Sequence, residues 1–190
     1  MAILLTGLVI FFAVHSIGIV APGARQLAVQ RYGELGWKGP YAVLSLLGLI
    51  LVVRGFGLAS QMPVVLYSPP RFLRHLTFLL MLPVFPLLLA AYLPGRIKTA
   101  LRHPMLAAVK FWALAHLLAN GRLADVCLFG GFLLWAVLDR ISLKRRPPQV
   151  LRTAPAGRFN DLIAVALGLA LCVSFVGWAH RWLFGVSPLG

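Results

Sequence analysis

Acid is what this sequence has least of. Its 190 residues include four Asp and Glu against eighteen Lys and Arg, for a net charge of +14. Paired-carboxylate chemistry therefore has almost nothing to work with. Cysteine is scarcer still. Cys127 and Cys172 both sit in apolar runs and form no CxxC. That excludes a disulfide framework and a thiolate zinc site, and reads as two buried thiols. There is no Gly-rich phosphate loop, no Gly-x-Ser-x-Gly and no HExxH. Internal repeats and low-complexity tracts are missing, and no polar stretch is long enough to form a soluble domain. No basic stripe with interleaved aromatics occurs either, so the positive charge does not point to nucleic acid.

What is present is apolar. Hydrophobic residues make up 61% of the chain, charged ones 12%, and mean hydropathy is +0.90. A soluble domain carries about 25% charged residues. The composition is that of an integral membrane protein whose partner is the lipid bilayer. A spanning helix needs about 20 mostly apolar residues. On that measure the sequence predicts an all-α, polytopic bundle of about six spans in a single domain, 1–190. The first runs from Ala2 to Val20 and is retained: no basic n-region or small-residue cleavage site marks a signal peptide. The second follows a polar loop carrying Arg25, Arg31, Glu34 and Lys38, and runs from Pro40 to Ala59. A link from Ser60 to Arg74 holds an apolar VVLY piece expected at the interface. The third span, His75 to Leu93, should kink at Pro83 and Pro86, each of which removes a backbone bond. The fourth is His103 to Ala119 and the fifth Leu123 to Ile141. A basic loop, Lys144 to Arg158 with Pro147 and Pro148, precedes the sixth, Asp161 to Phe184.

The basic residues are unevenly shared. Loops after spans one, three and five hold twelve of them, and the opposite side holds five when Arg54 is included. By the positive-inside rule those three loops are cytoplasmic and both termini lie outside.

Ionisable groups inside membrane helices are expensive and mark candidate sites. Span four concentrates them in RHPMLAAVKFWALAHLLANG, Arg102 to Gly121. Pro104 fits the first helical turn, and Asn120-Gly121 is a helix stop. His116 shares a face with Trp112 and Asn120, one turn either side. His103 shares the other face with Lys110. Lys110 is expected to pair with Asp139 or to snorkel to the headgroups. His15, followed by Ser16, lies in the unbroken first apolar run. It reads either as a helix-to-helix hydrogen bond or as a metal or haem ligand. His75 and His180 sit beside arginines at helix ends and read as interfacial, His180 with Trp178 and Trp182.

His15-Ser16, the span-four motif and the trailing Asp139-Arg140 resemble the NnrU family of bacterial membrane proteins over essentially the whole chain. That resemblance implies the bacterial inner membrane and an association with nitrite and nitric oxide metabolism in denitrification. Relatives include the haem-containing zeta-carotene isomerase. They imply haem b with His15 and His116 as axial ligands, an apolar small-molecule substrate and, for any enzyme activity, a haem-dependent isomerase or redox type. The isomerase motif has cysteine where this chain has Ala113. Arg102-His103-Pro104 before an apolar helix is also similar to membrane methyltransferases that bind S-adenosylmethionine. A third reading is a non-catalytic assembly or transport factor. Counting at ~1.5 Å per residue separates His15 and His116 by roughly 10 Å in depth, against ~4 Å between two axial nitrogens. Tilt of ~20° closes part of that gap, and His103 is the geometric competitor for the partner of His15.

Overall fold

The structure is a computed structural model, and residues 1–146 and 153–189 are described. Pro147, Pro148 and Arg152 of the expected basic loop lie outside them. The described residues form helices and one isolated antiparallel bridge, Val65 with Arg122. In chain order the helices are α1 (Ala2–His15), α2 (Ile17–Val20), α3 (Ala24–Gln61), α4 (Leu73–Met81), α5 (Val84–Ala90), α6 (Arg96–Leu101) and α7 (Pro104–Ala119). They continue with α8 (Leu123–Asp125), α9 (Gly131–Ser142), α10 (Asn160–Ser174) and α11 (His180–Phe184). π-helical turns at Val126–Gly130 and Phe175–Ala179 join α8 to α9 and α10 to α11. Among the described residues three helical stretches are long and apolar enough to cross a membrane: Ala24–Gln61, Leu73–Ala90 and Asn160–Phe184. Ala2–His15 and Pro104–Ala119 are shorter apolar helices.

The chain divides into two compact units. The first combines Met1–Ser68 with Asn120–Pro148, and the second combines Pro69–Ala119 with Gln149–Gly190.

In the first unit α1 packs along α3. The register is set by small residues, which let two backbones approach closely where apolar surface alone gives no preference in lipid. A Cβ on Gly7 would lie 2.6 Å from the Val52 nitrogen, and one on Gly48 2.9 Å from the Phe11 nitrogen. Gly55 abuts the Leu4 backbone. These contacts run in opposite chain directions, so the helices are antiparallel. Tyr41, Ser45, Gly48, Val52, Gly55 and Ala59 recur at helical spacing along this seam.

The polar loop expected between spans one and two is helical instead. α3 begins at Ala24 and breaks only at Gly33, whose φ of 74° and ψ of 173° suit glycine and few other residues. Glu34 supports the helix after the break by pairing with Lys38, one turn on, and with Arg25 at 3.3 Å. The first span is interrupted too: α1 ends at His15, and Ser16 separates it from α2.

The second unit is built on α5, which packs against α7 and α10, while α4 packs against α7. Val84, Leu87 and Ala108 form its buried centre, with Trp112 against them. The expected break at Pro83 is present, between α4 and α5. Gly168 of α10 takes the Pro86 ring and backbone.

Candidate functional site

His15 belongs to the first unit. Its Nδ1 lies 2.8 Å from the Phe11 carbonyl, one turn back. A carbonyl only accepts, so Nδ1 is the donor of this bond, and in a neutral ring the lone pair is then on Nε2. The ring stacks on Phe11 at 3.9 Å between centroids, with Tyr41 at 5.5 Å and the edge of Trp135 at 6.0 Å. Three buried side-chain donors of this unit have no hydrogen-bond partner among the described residues: Trp135 Nε1, Ser45 Oγ and Arg146 Nε. Trp135 and Ser45 each sit one turn from a polar residue on the same face, Asp139 and Tyr41 respectively. Arg146 pairs with Asp139, and its Nη1 would stand 2.5 Å from a Cβ on Gly18. The carboxylate expected to receive Lys110 is thus engaged by Arg146.

His116 belongs to the second unit. Its Nδ1 repeats the same arrangement, 2.9 Å from the Trp112 carbonyl, and the Trp112 ring stands 5.4 Å away. The Trp112–His116 face read from the sequence is therefore formed. Trp112 is fixed in turn by the Val84–Leu87–Ala108 core. Ala113, where the isomerase motif carries cysteine, is fully buried. Pro104 opens α7 as expected. His103 stands one residue before it, its carbonyl accepting from Ala107 N at 3.2 Å. Arg102 is the one described non-glycine residue with positive φ, 60°. Asn120 and Gly121 fall in the first unit, where their backbones receive the link of 62–68. Tyr67 Oη donates to the Asn120 carbonyl at 2.8 Å, and Leu66 N donates to the Gly121 carbonyl at 2.8 Å. Lys110 is partly buried on α7. His180 Nδ1 lies 2.8 Å from the Val186 carbonyl, and Trp178 stacks on Trp182.

The sequence model of the NnrU protein family matches residues 3–188. The chain belongs to the NnrU family. Comparison with curated proteins and with solved structures finds no match. In this NnrU chain the residues that sequence reasoning passed over are Tyr41, Ser45, Trp135 and Arg146. Their only signal was spacing: Tyr41 and Ser45 one turn apart, Trp135 and Asp139 one turn apart. Among the described residues no three His, Cys, Asp or Glu side chains gather to hold a bare metal ion. A group needing one ligand from each of two helices is a different demand.

Proposed function

We propose that this is a multi-pass protein of the bacterial inner membrane that binds haem b through His15 and His116 and serves nitrogen-oxide metabolism. The observation that carries the reading is the shared state of the two imidazoles. Each bonds through Nδ1 to the carbonyl four residues earlier, which orients the ring on its helix, so that Nε2 is the atom an iron would have to take. The surroundings suit the group as well. Phe11, Tyr41 and Trp135 supply aromatic surface around His15, and Trp112 supplies it beside His116. The partnerless donors Trp135 Nε1 and Arg146 Nε are of the kind that bind carboxylates such as haem propionates.

When bound, haem supplies electron transfer or a coordination position for a small ligand, according to how its iron is held. The chain's own part is to orient the two rings, exclude water with apolar helix faces and hold the Nδ1 protons on Phe11 and Trp112 carbonyls. An absorption spectrum of the purified protein tests this. A Soret band is expected, with haem content falling sharply in His15→Ala and in His116→Ala and unchanged in His103→Ala. A colourless protein that binds S-adenosylmethionine would replace this reading with the methyltransferase one. A colourless protein that binds neither would leave an assembly or transport role. Loss of haem in His103→Ala with full content in His116→Ala would mean that the other face of α7 carries the ligand.

A further inference from the structure

All four carboxylates of the chain are committed. Glu34 serves Arg25 and Lys38, Asp125 serves Arg122, and Asp139 serves Arg146. Asp161 serves no side chain among the described residues. Its two oxygens accept from the backbone nitrogens of Arg96 at 2.7 Å and Ile97 at 3.1 Å. Among the described residues no side-chain carboxylate is left over for the other basic side chains. In the second unit two of them flank one groove.

That groove has a volume of about 1030 Å³ and runs between residues 94–100 and 156–158. Arg96 stands on one wall and Arg158 on the other, and both are exposed. Neither guanidinium meets a carboxylate among the described residues; Arg158 lies over the Phe159 ring at 4.4 Å. The rest of the lining is largely apolar, with Pro94, Ile97, Ala100 and Ala156.

The walls are tied together by two adjacent residues. Asn160 Nδ2 donates to the Pro94 carbonyl at 2.8 Å and to the Pro155 carbonyl at 3.0 Å. Asp161 holds the first amides of α6, as above. Ala154 N donates to the Tyr92 carbonyl at 3.0 Å. The groove is therefore a built feature. The charge it presents comes from the two arginines, because the helix-end amides are already satisfied. Asp161 directs both oxygens at those amides, and it pairs with no guanidinium among the described residues.

We propose that this groove is a binding site for an anionic phospholipid, with the phosphate taken between Arg96 and Arg158 and an acyl chain along the apolar lining. Two features of the surroundings fit a lipid. The stretch Asn160–Phe184, which opens with α10 and is long and apolar enough to span the bilayer, starts immediately after Arg158-Phe159. Phe159 and Leu101 beside the groove are exposed apolar side chains, as a surface meeting acyl chains would be. Each arginine near an anionic headgroup is worth about fivefold in affinity. The pair should give a preference of about 25-fold for phosphatidylglycerol over phosphatidylcholine, since the net anionic charge distinguishes the two lipids.

Native mass spectrometry of the full-length protein in detergent, titrated with each lipid, reads this directly. Wild type should show that preference. Arg96→Gln/Arg158→Gln should reduce it to about twofold or less, and each single change should remove about fivefold. The control Lys144→Gln/Arg145→Gln removes the same charge elsewhere and should leave it intact. The single variants carry the test if the double one is not recovered folded. Three outcomes would overturn the proposal. The arginine variants could keep the full preference. The control could lose as much, which would mean general surface charge. Millimolar inorganic phosphate could displace the lipid completely, which would mean a site for free phosphate.

Discussion

Arg146 pairs with Asp139 seven residues earlier, and the two side chains are only 9% and 15% exposed. Removing one member of so buried a pair leaves the other charge uncompensated, which costs about 3–5 kcal/mol. We expect Asp139→Asn to destabilise the first unit on that scale and Asp139→Asn/Arg146→Gln to recover most of the loss. Thermal unfolding of the detergent-solubilised protein measures both. Equal losses in the single and double variants would show that Arg146 is held by something else.

Tyr67 gives the alkaline limit. Its pKa is raised above 10.0, first by burial and then by the nearby Asp125 charge. The proton is therefore held more tightly in the folded chain than in the unfolded one. The associated stability is complete below pH 10 and is lost as pH rises through the higher folded value. Arg122 is raised as well, first by its hydrogen bond to Asp125. Its window opens only in stronger alkali and leaves this range unaffected. Unfolding temperature should thus decline above pH 10 in wild type and decline less steeply in Tyr67→Phe. That variant starts lower because the bond to the Asn120 carbonyl is gone. Parallel declines in the two proteins would remove Tyr67 from the account.

Arg102 ends α6 with φ 60° and ψ −40°. A side chain in that region carries strain of about 1–3 kcal/mol, and glycine is free of it at an entropic cost of about 0.5–1 kcal/mol. Arg102→Gly should stabilise by up to about 2 kcal/mol, whereas Arg102→Ala should not. A stabilisation shared by both would assign the gain to lost charge and not to the backbone.

What could be read in advance was local. Pro83 breaks its helix, Pro104 starts one and Asn120-Gly121 ends it, because each acts on its own neighbours. The Trp112–His116 face followed from periodicity. The charges before Pro40 misled, since Arg25, Glu34 and Lys38 look like a loop but pair along a helix that only Gly33 interrupts. The surroundings of His15 were out of reach for another reason. Tyr41 and Trp135 meet it only through packing of α1, α3 and α9. The partner of Asp139 likewise lies in the turns beyond the end of α9, where the apolar run has already stopped. Asn160 and Asp161 gave no signal at all, because their partners are backbone atoms.

Those two residues also impose an order in time. Asn160 and Asp161 bond to atoms 64 to 66 residues earlier. A ribosome making the chain from its N-terminus delivers Pro94, Arg96 and Ile97 long before their partners exist. Until α10 emerges, the start of α6 lacks these partners for its amides. The second unit can close only once Asn160 and Asp161 have been made, and a nascent chain stopped before Asn160 would leave α6 unanchored.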